Sequence, residues 1–319
     1  MEGFDFTSSR PCHAMRWARF CVTGWQSQRE QHCFEEADSM GSNASETAQH
    51  YAGKVAVVTG ASSGIGQALV VQLIASGARV FAVGRDTERL GQLHTLSAAA
   101  GDRLITGAFD VQDEAACEQL IQQCVSAFGC LDLLFCNAGQ AMKGAFLSAS
   151  SPQASTAIMR INYDPVVYLS FHALPHLIRS QGHITVTGGI VSHVGLPEFS
   201  AYCASKHAVR GFIESLRREV SAQGVSLTLA SPDTVRTAVR SNMLDASGKA
   251  SPLGYGDENA MSPDRCAALI LQATQRQKSH VLLSRRAKIL NLLQFALPSV
   301  LQKMLSGSFE RQRKASVAN

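Results

Sequence analysis

The chain has 319 residues, 45% hydrophobic and 17% charged, with a formal net charge of +4. That balance suits a soluble globular protein with a sizeable core and is too weakly basic to direct the chain to nucleic acid. The nine cysteines form no C-x-x-C pairs, so the expectation is no metal centre and reduced thiols in a cytosol-facing protein.

Residues 1–52 lack a sustained apolar period and any apolar run long enough for a signal peptide, so they read as a disordered extension. Within them, Met40-Gly41-Ser42-Asn43-Ala44-Ser45 matches a myristoylation pattern only if Met40 starts the chain. Order is expected from Lys54. Val55-Ala56-Val57-Val58 is a continuous apolar run, as in a parallel strand buried on both faces. Thr59-Gly60-Ala61-Ser62-Ser63-Gly64-Ile65-Gly66 follows, then an apolar-periodic helix to about Ser76 and a strand from Arg79 to Val83. Glycines at such a strand-to-helix turn let the backbone approach a pyrophosphate, which sits on the helix N-terminus. Gly60, Ser62, Ser63, Gly64, Ile65 and Gly66 are therefore candidate cofactor contacts.

A site for NAD usually offers a carboxylate at the end of the second strand. Here that place is Gly84, with Arg85 next and Arg89 four residues on. Loss of a negative charge and gain of a guanidinium suit an adenosine 2′-phosphate, hence NADP(H).

Further strands are predicted over Leu104–Phe109, running into Asp110-Val111, and over Leu131–Cys136, running into Asn137-Ala138-Gly139. Two more follow over Gly182–Thr187 and Val225–Ala230. Helices are expected over Glu114–Phe128, around Ala154–Arg160, over Asn162–Arg179 and from Ala204 to Glu219. This alternation calls for an α/β fold, a doubly wound parallel sheet of Rossmann type in a single domain over 53–275. Ligands bind beyond the carboxyl ends of such strands, where Gly60, Asp110, Asn137, Thr187 and Pro232 fall.

Tyr202 and Lys206 lie one helical turn apart and can address one small volume. A nearby ammonium is expected to lower the phenol's pKa and make Tyr202 a general acid for a carbonyl oxygen or a general base for an alcohol.

From residue 276 the chain carries nine basic residues against Glu310 alone. Its apolar stretch over 289–305 includes 14 residues from Ile289 to Gln302, roughly 21 Å as a helix, short of a ~30 Å hydrocarbon core. Pro298 would break or kink it. Residues 276–319 thus read as a basic amphipathic tail making peripheral membrane contact. A helix capping a dimer or a substrate pocket is the alternative.

Taken together, Thr59-Gly60-x-x-x-Gly64-Ile65-Gly66, Asp110-Val111, Asn137-Ala138-Gly139, Asn162, Tyr202-x-x-x-Lys206 and the Pro232 loop resemble the short-chain dehydrogenase/reductase family over roughly residues 53–240. The resemblance implies that Asp110 holds the adenine amino group, that Asn137 supports the cofactor, and that Asn162 anchors a water relay. It implies that Lys206 binds the nicotinamide ribose and that Tyr202 is the proton donor. Val111, Ala138, Gly139 and Val235 join the cofactor contacts. Within the family, Pro232-Asp233-Thr234, Ile161-Asn162-Tyr163, Lys206 to Gly211 and Gly307-Ser308-Phe309 look like 3-ketodihydrosphingosine reductases. That implies reduction of a lipid-like ketone by NADPH at the cytosolic face of the endoplasmic reticulum membrane, or otherwise in the cytoplasm. Homo-oligomerisation stays open, as do another lipid, steroid or retinoid carbonyl substrate and a cofactor-binding scaffold. The last arises because the family's catalytic serine, thirteen residues before the tyrosine, is Gly189 here. Ser192, in the loop beyond it, or a water is the expected stand-in for the missing hydroxyl.

Overall fold

A computed structural model describes residues 49–149, 151–237, 242–251 and 260–317. Residues 1–48, with the Met40 pattern, lie outside the described residues. Seven strands form one sheet: β1 (Val55–Thr59), β2 (Arg79–Gly84), β3 (Leu104–Ala108), β4 (Leu133–Cys136), β5 (His183–Thr187), β6 (Ser226–Ser231) and β7 (His280–Leu282). Their order is β3-β2-β1-β4-β5-β6-β7, and every pairing is parallel. The chain reverses its direction of growth between β1 and β4, which opens a crevice at their carboxyl ends.

The helices are α1 (Gly64–Ala75), α2 (Thr87–Leu96), α3 (Glu114–Phe128), α4 (Gln153–Asn162), α5 (Asp164–Ser180), α6 (Ser200–Val220), α7 (Pro263–Gln275), α8 (Arg285–Ala296) and α9 (Pro298–Val317). Successive residues of β1 feed opposite faces of the sheet, because side chains alternate along a strand. Ala56 and Val58 pack with Leu69 and Leu73 of α1 and Ile270 of α7. Val55 and Val57 pack with Leu120 of α3, Leu169 of α5 and Ile213 of α6. All five residues of β1 are buried, so the continuous apolar run is a two-faced strand.

The structure moves both expected domain edges. Tyr51, placed by the sequence in the extension, is fully buried in the α1–α7 core, and its hydroxyl donates to Leu271 O at 2.6 Å. At the other edge the sheet does not stop before residue 276. β7 pairs with β6, Ala230 opposite Val281. Its three residues are too short a run to show a period of two in the sequence. α7 starts on the Ser262 side chain, which accepts from Arg265 N at 3.2 Å, with Pro263 at its first position, where a missing N–H costs nothing.

The tail is helical and divides at Pro298, as its ring geometry requires. α8 and α9 pack their inner residues on the segment after β5 and the start of α6. No helix among the described residues is long and apolar enough to cross a membrane.

Candidate active site

The turn after β1 is held against the loop after β4 by one hydroxyl. Thr59, fully buried, accepts from Asn137 N and Ala138 N at 3.1 Å each through Oγ1, while Asn137 Nδ2 donates back to Thr59 O at 3.2 Å. Gly60 and Gly64 have φ of +66° and +56°, a left-handed backbone that glycine adopts without strain. A Cβ on Gly64 would stand 2.9 Å from Thr237 Cγ2, which brings the Val235–Thr237 segment over the turn. The N-cap of α1, Ser63, makes no side-chain cap, and the first turn of the helix has no acidic residue. Its leading N–H groups thus face the crevice without a side-chain acceptor, the arrangement that a pyrophosphate satisfies.

At the end of β2, a Cβ on Gly84 would lie 3.2 Å from Ser62 Cβ, so a carboxylate there would press on the turn. Arg85 is exposed just beyond. Arg89 is set against Asp86, which pairs with its Nε at 3.2 Å and accepts from its backbone N–H at 3.0 Å. Asp110 is exposed and accepts from Gln112 N at 3.1 Å, and Val111 is half-buried beside it. Ser62, Ser63 and Ile65 are half-buried, Ile65 against the α1–α7 core. A Cβ on Gly66 would run into Gly60 O, so only glycine lets α1 start so close to β1.

A second cluster centres on Asn162, 1% exposed at the end of α4. Its Oδ1 accepts from Gln140 N at 2.8 Å; its Nδ2 donates to Gln140 O and to Ser205 Oγ, both at 3.0 Å. Ser205 Oγ in turn donates to Tyr202 O at 2.8 Å. Lys206 Nζ donates to Thr187 O at 3.0 Å, and Thr187 Oγ1 donates to Asn137 Oδ1 at 3.1 Å. A Cβ on Gly139 would meet Asn162 Oδ1 at 2.9 Å and Lys206 Nζ at 3.5 Å. The two clusters are therefore one network, joined through Asn137 and Thr187. Asp110, Arg85 and Arg89 stand outside it, at the far end of the crevice. Thr59, Gln140 and Ser205 were not read from the sequence as site residues. Thr59 and Ser205 left a signal there, inside the Thr59–Gly66 and Tyr202–Lys206 motifs, and Gln140 left none.

Burial overturns the expected pKa logic. It pushes the Tyr202 phenol up to about 12 and the Lys206 ammonium down to about 8. Lys206 does not lower Tyr202, because desolvation around the half-buried phenol outweighs one charge that is turned to the Thr187 carbonyl. Tyr202 is held as the neutral phenol.

Ser192 does not fill the place of the missing serine. It is fully buried in the short 3₁₀ turn Ile190–Ser192, and its hydroxyl has no hydrogen-bond partner among the described residues. It sits on the bare side of Gly188, where a Cβ would meet Ser192 Oγ at 2.9 Å and Leu229 Cδ1 at 3.0 Å. The bare side of Gly189 faces Val191 Cγ2 and Pro232 O instead. The turn is pinned from behind by His193, whose Nδ1 accepts from Arg210 Nη1 at 2.8 Å and whose ring stacks on His280 at 4.4 Å.

The short chain dehydrogenase family model matches residues 54–247. Dehydrogenase/reductase SDR family member 7B of Bos taurus is 32% identical over 272 residues, covering 82% of this chain and 83% of that one. The 11-beta-hydroxysteroid dehydrogenase-like 2 protein of Arabidopsis thaliana is 30% identical over 265 residues, with coverage of 82% and 83%. A short chain dehydrogenase from Burkholderia cenocepacia, solved with NADP, superimposes with a TM-score of 0.68 at 23% identity, over 80% of this chain and 98% of that one. A dehydrogenase/reductase from Burkholderia phymatum, solved with NAD, gives 0.69 at 23% identity, over 77% and 94%. With the motif network and the sheet order in place, these likenesses establish that the chain belongs to the short-chain dehydrogenase family of oxidoreductases.

Proposed function

We propose that the protein reduces the ketone of an apolar molecule to the alcohol, with NADPH as reductant. The observation that carries the reading is the bonded network that brings Tyr202, Lys206 and Asn162 together at the crevice, with the exposed Arg85 beyond Gly84 suiting the phosphate of NADPH. Reduction needs a proton donor at the carbonyl oxygen, and the neutral Tyr202 phenol supplies it.

In this reading the Gly60–Gly66 turn and the start of α1 hold the pyrophosphate, and Arg85 takes the 2′-phosphate. Asp110 and Val111 meet the adenine, and Asn137, Ala138, Gly139 and Val235 flank the remainder. NADPH supplies the hydride when bound. Lys206 holds a ribose hydroxyl while keeping its bond to Thr187 O, and Asn162 fixes the loop that carries Gln140. Tyr202 gives its proton to the carbonyl oxygen as that oxygen gains charge. With Gly189 in place of a serine, the hydroxyl that would join Tyr202 there is missing, and such a second preorganised donor is worth on the order of 10²–10³ in rate. The protein is therefore a slow reductase.

The apolar residues beside Tyr202, among them Ile190, Val191 and Phe199, suit a lipophilic substrate. The hydroxysteroid dehydrogenase name of one relative favours a sterol-type ketone. A keto-sphingoid base is a second substrate of the same class, suggested by Pro232-Asp233-Thr234. The test follows NADPH absorbance with a steroid ketone and with 3-ketodihydrosphingosine in detergent. Turnover that Tyr202→Phe abolishes is the expected result. NADPH binding with no turnover of any ketone, restored by Gly189→Ser, would replace the reductase by a cofactor-binding scaffold.

A further inference from the structure

We propose that the outer face of the α8–α9 helix pair docks on a membrane surface bearing anionic lipid, and that this surface presents the apolar substrate to the site. The second half rests on the reductase reading above. The helix pair has two apolar sides. Its inner side places Ala287, Leu290, Leu293 and Leu301 in the cluster that contains Val191 and Tyr202. On its outer side, Ile289, Leu292 and Phe295 are 58%, 52% and 75% exposed, and Val300 and Met304 are 46% and 54% exposed. Helical positions three and four apart share a face, so the α8 residues form a single strip, on which Arg285 and Lys288 also fall. Arg286 and Lys303 are exposed as well.

An apolar surface of this kind marks a contact, and the cations along it select the partner. An apolar patch on another protein gains nothing from them, whereas anionic headgroups over hydrocarbon satisfy charge and apolar area together. The helix pair reaches the reaction machinery at two places. Its inner side touches the cluster around Tyr202. Its start is tied to the loop after β6, where Asp233 Oδ2 lies 3.7 Å from Arg286 Nη1 and 3.3 Å from Ser284 Oγ. A lipid surface under α8 and α9 thus lies against elements that adjoin Tyr202 and the Asp233 loop.

The test is flotation of the full chain with vesicles of phosphatidylcholine, alone or mixed with phosphatidylserine. Its readouts alongside are NADPH binding and reduction of a water-soluble ketone. Flotation is expected with the anionic vesicles and is expected to weaken in salt. Leu292→Ser with Phe295→Ser alters only exposed side chains and should lower partitioning at least ~tenfold, with NADPH binding unchanged. Lys288→Ala and Lys303→Ala should each lower it ~fivefold. Wild-type protein that fails to float, or variants that float equally well, would overturn the docking face. So would an apolar variant that converts a dimer to a monomer with flotation intact, which assigns the strip to a second copy. Intact flotation without ketone reduction sinks the reductase reading alone and upholds the surface.

Discussion

Asn162→Ala separates a structural bracket from a purely chemical residue. The side chain is 1% exposed and joins both backbone groups of Gln140 to Ser205. Truncation strands the Gln140 N–H and C=O, while Ser205 Oγ keeps its bond to Tyr202 O. Stranded buried groups cost ~1–3 kcal/mol each, and half-burial of Gln140 favours the lower end, giving ~2–4 kcal/mol in all. For a domain of this size that lowers Tm by roughly 5–12 °C. The loop from Asn137 to Gln140 also loses its anchor, so the KM for NADPH should rise together with a fall in kcat. Thermal unfolding by circular dichroism, beside steady-state kinetics, reads both quantities. A variant with lost activity but a Tm within a degree of wild type would refute the bracket.

Other expectations follow from the same structure. Arg85→Ala should weaken NADPH binding by roughly tenfold to a hundredfold, because a charge-assisted bond is worth ~1.5–3 kcal/mol, and leave NADH nearly unchanged; equal losses in titration would exclude a phosphate contact. Arg89→Ala should matter less, since Asp86 already pairs with it. The rate of reduction should fall as pH rises through about 8, where Lys206 loses its proton; a flat pH profile from 7 to 9.5 would remove the ammonium from the mechanism. Burial lowers His183 and His193 to about 3 and His280 to about 4, so the unfolded chain binds more protons between those values and about 6.5. Stability should therefore decline as pH falls below about 6.5, by up to ~1.4 kcal/mol per pH unit from the buried His183. Urea midpoints at pH 7 and pH 5 measure this, and equal midpoints would contradict it.

The sequence by itself determined the sheet and the crevice. Val55–Val58 is apolar throughout because a central parallel strand is buried on both faces. The glycines after it mark a turn whose backbone must come close to its surroundings, and a one-turn spacing put Tyr202 beside Lys206. These are local or periodic signals, and folding did not alter them. Tertiary structure decided everything that depends on distant partners. β7 is three residues paired with β6, too few to carry a period, and Tyr51 joins the core by packing against α1 and α7, where Leu271 O accepts from its hydroxyl. Thr59 and Gln140 join the site through bonds across 78 and 22 positions, which no spacing announces. Ser192 had the right chemistry for the missing hydroxyl, but the 3₁₀ turn rolled it under Gly188. The direction of the Tyr202 pKa shift was the deepest reversal. Sequence showed a cation nearby, whereas the fold buries Lys206 and half-buries Tyr202, and desolvation of the phenolate outweighs one charge directed elsewhere.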